Sequence, residues 1–297
     1  MDESDWRRLT RQLETGECTP FLGAGACHGT LPTGGELSRA WAAKYDYPFI
    51  DGDNLARVMQ YAAADIKDAV TLKREVCDHL LAAGRPDFTR DGEIHSFLAR
   101  FPIPVFLTTN YDDFLVEGLR ARNKTPHPAI CPWHDGLPYD RKLFERGAGL
   151  RPEVARPVVY HLHGSVERPD SLVLTEDDYL EFLVHMTAAR TRNNRQIMPP
   201  AILDALANRP LLFIGYSLQD WTFRVLFHGL ISRYPAIRRR RHVSVQLPPP
   251  GDHMKTGATE RAKMYLGRYF DGWDISIFWG SAQEFCGELG RRMGTAP

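Results

Sequence analysis

The sequence has few cysteines and no pairing pattern among them. Its 297 residues include five, Cys18, Cys27, Cys77, Cys131 and Cys286, and no two form a Cys-x-x-Cys pair. An odd, scattered set argues against a disulfide framework and against a zinc site built from cysteine pairs. We therefore expect a reduced, cytoplasmic protein without a bound metal.

The sequence also lacks a long hydrophobic run and an excess of charge of one sign. No run approaches the roughly 18 apolar residues of a membrane-spanning helix, and the start, MDESDWRR, is too polar for a secretory signal. Lys and Arg number 37, as do Asp and Glu, so the net charge is zero. This balance argues against a protein that coats nucleic acid, and we expect neither nucleic acid nor membrane as a direct partner.

What is present is a series of short apolar segments separated by helical ones. Continuous apolar strands that alternate with helices are typical of a parallel sheet covered on both faces. We predict one α/β domain over 1–297, with a doubly wound, Rossmann-like parallel sheet and a helical insertion at 165–207. Residues 121–156 are predicted to form a variable loop with little regular structure. The six predicted strands lie near 19–22, 104–109, 157–164, 209–217, 241–247 and 274–280.

The first predicted strand runs into a glycine-rich turn. The sequence TPFLGAGACHG places Gly23 and Gly25 directly after the strand, and a helix follows from about Glu36. Glycine lets the backbone approach a ligand closely and aim N–H groups at it, which suits a pyrophosphate. The spacing differs from the ordinary dinucleotide fingerprint, so a turn required only for packing is the alternative.

Polar residues follow the second predicted strand. In VFLTTNYDDFL, the apolar run is followed by Thr108, Asn110 and Asp112, and open parallel sheets bind ligands at the carboxyl ends of their strands. An asparagine amide is able to hold a water, a ribose hydroxyl or a carboxamide. The alternative is that Asn110 or Asp112 only caps the helix that follows.

Two histidines lie two residues apart near the end of the third predicted strand. His161 and His163 in VVYHLHGSV face one side of a strand. A core histidine with a hydrogen-bonded partner and a pair of metal ligands are both alternatives, but no third ligand follows at a standard spacing. His163, beside Gly164, is better placed as a base or a group that orients water.

The fourth predicted strand, LLFIGYS, also ends in glycine and small polar residues. Gly215 permits close approach, and Ser217 suits a ribose or phosphate, or only caps the next helix. Together, the four strand ends are expected to line one edge of the sheet and to surround one extended ligand.

In order and spacing, these four segments resemble the sirtuin (Sir2) family. GAGA at 23–26 resembles its NAD loop, and TTNYD at 108–112 resembles its Thr-Gln-Asn-hydrophobic-Asp motif. HLHG at 161–164 resembles its His-Gly motif, and GYS at 215–217 resembles its adenosine-binding turn. The resemblance implies a Sir2 fold with NAD as the substrate.

Two features of sirtuin deacetylases are missing. No cysteine occurs between Cys131 and Cys286, where the family carries its zinc module, and GTLPTGGE at 29–36 replaces the family's GIPDFR. In both departures the chain resembles the bacterial anti-phage branch of the family. Members of that branch cleave NAD and often act beside a sensor, an Argonaute-like partner or a HerA-type ATPase. The resemblance therefore implies a regulated NAD+ glycohydrolase that forms a homo-oligomer and has a separate sensor or ATPase chain. A protein deacylase or ADP-ribosyltransferase, and a non-catalytic sensor of NAD or ADP-ribose, are the alternatives.

The resemblance also implies roles for residues. Asn110 would orient water and the ribose, His163 would act as a base near neutral pH, and Asp112 would contact the nicotinamide amide or the ribose. The N–H groups of 23–26 would hold the pyrophosphate, and Gln246 is included only for its position at a strand end. The implied NAD-binding residues are Gly23, Ala24, Gly25, Ala26, Thr108, Gly215, Ser217 and Gln246.

Overall fold

The centre of the protein is a seven-stranded sheet in which every pair of neighbouring strands is parallel. The structure is a computed structural model, and it describes residues 1–145, 151–188, 196–217, 224, 227, 240–249 and 257–294. The strands are β1 Thr19–Leu22, β2 Val105–Thr108, β3 His127–Ile130, β4 Val158–His161, β5 Leu211–Ile214, β6 His242–Gln246 and β7 Ile275–Trp279. Their order across the sheet is β3-β4-β2-β1-β5-β6-β7.

Helices cover the sheet on both sides. Within the described ranges they are α1 Glu3–Glu14, α2 Gly34–Lys44, α3 Leu55–Ile66, α4 Ala69–Ala82, α5 Ile94–Leu98, α6 Phe114–Arg120, α7 Arg141–Phe144, α8 Glu176–Ala188, α9 Pro200–Asn208, α10 Ala258–Asp271 and α11 Ala282–Arg292. Successive residues of a strand belong to different hydrophobic clusters, because their side chains point alternately to the two faces of the sheet. Phe21 and Phe213 belong to one core cluster, whereas Leu22 and Leu212 belong to another. The predicted doubly wound parallel sheet is therefore confirmed.

The predicted number of six strands is wrong. The seventh strand, β3, lies inside 121–156, where we expected little regular structure. It pairs with β4 from His127 opposite Val158 to Ile130 opposite His161. Its sequence, HPAI, is half exposed and includes a proline, which an edge strand tolerates. A short edge strand buries little side chain, so its sequence has no apolar pattern to detect.

Strand β1 occupies the point where the order of the strands reverses. It pairs with β2 on one side and with β5 on the other. In open α/β sheets, the crevice at such a point binds the ligand, because the loops on its two sides diverge. The segments that follow β1, β2 and β5 are those in which the sequence predicted polar and glycine residues.

The helices α2, α3 and α4 pack with the segment before α8 into a third core cluster. The Lys73 ammonium of α4 lies 2.8 Å from Asp178 of α8, and the Tyr111 hydroxyl donates to the Val173 carbonyl at 2.7 Å. These contacts hold α8 over the carboxyl edge of the sheet. Across the described ranges, no helix combines the length and apolar character needed to cross a bilayer.

Candidate functional site

A cavity of about 1360 Å³ opens at the carboxyl edge of the sheet. Its lining includes residues that follow β1, β2, β4, β5, β6 and β7, and its volume exceeds the roughly 300–1,000 Å³ common for drug-sized ligands. Gly23 and Thr108 are outside the lining. The other nine predicted site residues are in it: Ala24, Gly25, Ala26, Asn110, Asp112, His163, Gly215, Ser217 and Gln246.

Asn110 is fixed from two directions. Its backbone N–H donates to Thr108 Oγ1 at 2.9 Å, and Thr108 Oγ1 donates in turn to the Leu22 carbonyl of β1 at 3.2 Å. Its side-chain Nδ2 donates to Cys27 Sγ at 3.3 Å. Within the described part of the chain, Asn110 Oδ1 is buried and has no hydrogen-bond partner. Such an acceptor costs about 1–3 kcal/mol, so this oxygen is ready for a ligand or a water.

His163 presents a second unsatisfied atom to the cavity. Its ring packs edge-on against Tyr179 and Phe182 of α8, at centroid distances of 5.3 and 5.0 Å. Nε2 is buried without a partner among the residues that the structure describes. Burial lowers the pKa of His163 to about 3, so its imidazole is neutral at physiological pH. The sequence suggested a base titrating near neutral pH; the buried imidazole is instead a weakly basic acceptor.

His161 has a different surrounding. Its Nδ1 lies 3.4 Å from the Asn110 carbonyl oxygen, and the residue is only 3% exposed. Burial lowers the pKa of this imidazole. His161 therefore fits the alternative of a core histidine with a partner, whereas His163 faces the cavity.

The glycine turn brings the ends of β1 and β5 into contact. The Gly23 N–H donates to the Ile214 carbonyl at 2.9 Å, the Gly25 N–H to the Gly215 carbonyl at 3.0 Å, and the Ala26 N–H to the Gly23 carbonyl at 2.9 Å. Gly215 has φ +83°, and a Cβ there would lie 2.2 Å from the Ala26 nitrogen. Three of the four N–H groups expected on a pyrophosphate are thus bonded to the main chain. These bonds show that the glycines pack the ends of β1 and β5 together, while Ala24, Gly25 and Ala26 remain in the cavity lining.

Asp112 accepts two hydrogen bonds within the protein, and the first is the one that the capping alternative expected. Its Oδ1 accepts the Phe114 N–H at 3.1 Å, at the start of α6, and its Oδ2 accepts from the Cys27 thiol at 3.2 Å. Burial, and then the Asp112 charge, raise the pKa of Cys27 well above its ordinary value. The thiol is therefore protonated and bridges Asp112 to Asn110.

Several residues of the cavity wall were missed in the sequence. Cys27 directly follows GAGA, so its place in the motif was a usable signal, but His95 and Glu93 carried none. The Tyr216 hydroxyl lies 2.7 Å from Thr109 Oγ1 and donates to the Leu22 carbonyl at 3.0 Å.

Two predicted adenosine-binding residues also lie in the cavity lining. Ser217 is exposed, whereas Gln246 is buried and its Nε2 donates to Ser244 Oγ and the Val245 carbonyl at 2.9 and 3.1 Å. Gln246 is therefore held by its own strand.

The sequence model of a family described as "SIR2-like domain" matches residues 104–269, which is more than half of the chain. The chain belongs to the SIR2-like family. The matched span of this SIR2-like protein contains Asn110, His163 and Gly215, whereas the glycine turn precedes it.

Curated relatives of this SIR2-like protein are named NAD(+) hydrolase ThsA. The protein of Acinetobacter baumannii (strain 532279) is 24% identical over 72% of this chain and 39% of the relative. The protein of Bacillus cereus (strain MSX-D12) is 27% identical over 52% of this chain and 28% of the relative. The protein of Cytobacillus dafuensis is 30% identical over 43% of this chain and 22% of the relative. The chain thus spans less than half the length of these relatives.

A solved structure titled "Structural Basis for the Mechanism and Regulation of Sir2 Enzymes" aligns with 98% of this chain and 98% of its own. Its TM-score is 0.41 and its identity 13%. The parallel sheet and its strand order establish the fold of this chain.

Proposed function

We propose that this SIR2-like protein hydrolyses the nicotinamide–ribose bond of NAD+ and releases nicotinamide and ADP-ribose. The observation that carries the proposal is the presence of two buried acceptors, Asn110 Oδ1 and His163 Nε2, in one cavity, both without partners among the described residues. The family membership supports it, as do relatives whose names state NAD(+) hydrolysis.

The proposed chemistry needs little acid help, because the nicotinamide of NAD+ leaves as a neutral group. The ribose then has oxocarbenium character, and a water attacks it to form the new C–O bond and loses one proton to solvent. Asn110 Oδ1 accepts a hydrogen bond from that water or from a ribose hydroxyl, and His163 Nε2 accepts from a ribose hydroxyl or the water. Asp112 contacts the nicotinamide amide or the ribose. Tyr179 and Phe182 keep bulk water away from the imidazole, which strengthens its hydrogen bonds.

The rest of the dinucleotide would lie along the wall of the cavity. Ser217 and Gln246, next to Gly215, suit the adenosine half, because they lie in one lining at the ends of β5 and β6. Ala24, Gly25 and Ala26 line the cavity and would lie against the pyrophosphate, although the N–H groups of Gly25 and Ala26 are already bonded to the main chain. Gly23 and Thr108 would act from behind the lining, by fixing the turn and Asn110.

We propose further that the protein is a regulated anti-phage effector of the cytoplasm. The support is the resemblance to the bacterial branch that lacks the zinc module. A toxic NAD hydrolase must be latent in a healthy cell, so we propose a homo-oligomer controlled by a separate sensor or ATPase chain of the HerA or Argonaute type.

The first prediction concerns the two unsatisfied side chains. Asn110→Ala and His163→Ala are each expected to slow nicotinamide release about a hundredfold or more, since positioned acid–base groups contribute roughly 10²–10⁴ in rate. Chromatographic detection of nicotinamide from purified protein and NAD measures this. Asn208→Ala and His127→Ala change the same residue types at exposed positions outside the cavity lining, and they should retain wild-type turnover.

Equal turnover by the wild type and both cavity variants contradicts the assignment. If nicotinamide appears only when an acylated or acceptor protein is added, the activity is deacylation or ADP-ribosylation. Tight NAD binding without turnover, with and without the product of a neighbouring gene, indicates a sensor.

A further inference from the structure

Three potential metal ligands meet beside Asn110. Cys27 Sγ lies 3.2 Å from an Asp112 carboxylate oxygen and 3.8 Å from His95 Nε2, and the three ligand atoms all lie within 4.8 Å of one another. They come from three elements: the turn after β1, helix α5 and the segment after β2. Cys27 is 68 residues from His95 and 85 from Asp112. That separation explains why the sequence indicated no metal site.

The two distances from Cys27 Sγ are close to those expected around one small tetrahedral ion. With bonds of about 2.3 Å to sulfur and about 2.0–2.1 Å to nitrogen and oxygen, ligand atoms around zinc lie about 3.3–3.6 Å apart. The two distances from Cys27 Sγ bracket that range. All three residues are buried, with exposed fractions of 4% for Cys27, 1% for His95 and 9% for Asp112. A cation placed among them would draw together three ligand atoms that already lie within 4.8 Å of one another.

The surroundings orient the ligands as they do in known metal sites. His95 Nδ1 lies 2.6 Å from Glu93 Oε1, which leaves Nε2 to face the thiol. Glu93 is itself fixed, since its carboxylate accepts the backbone N–H groups of His95 and Ser96 at 3.1 and 2.7 Å. Asn110 Nδ2 donates to Cys27 Sγ at 3.3 Å, a bond that becomes stronger with a thiolate. Outer hydrogen bonds of this kind hold ligand orientation and raise metal affinity.

We propose that Cys27, His95 and Asp112 bind one zinc-type divalent cation at the floor of the cavity. A thiolate, a neutral imidazole and a carboxylate match a borderline-soft ion, whereas magnesium and calcium prefer oxygen ligands alone. One thiolate and one carboxylate balance the two positive charges of the ion, and the thiol proton passes to solvent on binding. Since all three residues line the cavity, the fourth position of the ion is open to it.

The bound cation would inhibit NAD cleavage. Asp112 becomes a ligand and is withdrawn from the substrate, while the ion occupies space beside Asn110. This consequence rests on the proposed function, whereas the metal site itself does not.

Cobalt titration tests the site directly. The chain, stripped with a chelator, is titrated with Co²⁺, and we expect one equivalent to give the visible bands of a tetrahedral ion and a thiolate charge-transfer band. Cys27→Ser is expected to lose that charge-transfer band. Cys77→Ser, which alters a buried cysteine outside the cavity lining, is expected to keep it. Glu93→Gln keeps the side-chain shape and should weaken binding about 10–100-fold.

A second variant covers the case in which Cys27→Ser does not fold. His95→Asn keeps an N–H donor near the position of Nδ1, for Glu93, and removes Nε2, so it should abolish the tetrahedral spectrum. A wild-type protein without a stoichiometric spectrum, or a spectrum unchanged in both Cys27→Ser and His95→Asn, overturns the site.

The inhibition is measured as the ratio of turnover with and without Zn²⁺ within each variant. We expect at least about a tenfold fall in the wild type and little change in His95→Asn. A cobalt spectrum without this fall retains the site and overturns the inhibition. A wild type that never cleaves NAD contradicts the proposed function, and the cobalt spectra then decide the metal site alone.

Discussion

His163 lies between two aromatic rings of α8, and burial holds its pKa near 3. A histidine in the unfolded chain titrates near pH 6.5. Above pH 6.5 both states are neutral, so the residue adds no pH dependence there. As the pH falls from 6.5 towards 3, the unfolded chain binds a proton that the folded one refuses, and stability falls.

We predict that this residue makes the wild type acid-sensitive. When the pH is lowered from 7.5 to 5, the neutral His163 should lower the free energy of unfolding by about 2 kcal/mol. Each pH unit below 6.5 contributes about 1.36 kcal/mol. Urea unfolding of the wild type and His163→Gln at both values measures it. The wild type should lose about 2 kcal/mol more than the variant; equal losses mean that the imidazole is not held neutral.

Gly215 is a residue whose backbone permits the site to form. Gly215→Ala should destabilise the protein by about 3 kcal/mol, because a positive φ and a Cβ at 2.2 Å from the Ala26 nitrogen are both unfavourable. The matched control is Gly84→Ala, since Gly84 has φ +96° and nothing within 4 Å of a Cβ, and it should cost about 1 kcal/mol. Chemical denaturation compares them. Similar costs for both show that the contact between the β1 and β5 turns is unimportant.

At the scale of elements, α8 is the helix that completes the cavity. It supplies Tyr179 and Phe182 around His163, and its position depends on α4 through the ion pair of Lys73 and Asp178. The two side chains are 8% and 14% exposed. Asp178 also accepts the backbone N–H groups of Leu174 and Thr175, both at 2.9 Å.

We predict that Lys73→Ala costs about 3 kcal/mol of stability, because it leaves a largely buried carboxylate without its counter-charge. Lys44→Ala is the control: the Lys44–Glu75 pair is 49% and 35% exposed, and its loss should cost about 1 kcal/mol or less. Thermal and urea unfolding measure both. If Lys73→Ala is no more costly than Lys44→Ala, α8 is held by apolar contacts alone.

At the scale of the whole molecule, the cavity exists because the sheet reverses its order at β1. The loops after β1 and β5 diverge there, and those after β2, β4, β6 and β7 complete the lining. A ligand that spans the cavity therefore contacts elements far apart along the chain and stabilises all of them together.

ADP-ribose is expected to raise the melting temperature. At a concentration 100 times its Kd, it should add about 2.7 kcal/mol to the unfolding free energy. Ribose 5-phosphate at the same concentration spans too little of the cavity and should have little effect. Differential scanning calorimetry makes the comparison, and an unchanged melting temperature at saturating ADP-ribose would mean that the cavity does not accept the dinucleotide product.

Strands with continuous apolar sequence could be predicted, and β3 could not. Segments such as VFLTT and LLFIG are buried on both faces of the sheet, and their continuous apolar composition indicates this. The edge strand His127–Ile130 forms by pairing its backbone with β4, which leaves no trace in side-chain pattern. The same distinction separates Asn110, which follows an apolar run, from His95, which reaches the cavity only through tertiary contacts.

The sequence by itself determined the parallel α/β sheet and the polar or glycine-rich ends of its central strands, because these features depend on short-range pattern and on the rule that parallel strands end at one edge. The tertiary structure alone decided which atoms are unsatisfied, which N–H groups of the glycine turn are already bonded, and that Cys27, His95 and Asp112 meet. The physical reason is that hydrogen bonding and burial depend on neighbours in space, and here those neighbours lie 68 and 85 residues apart along the chain.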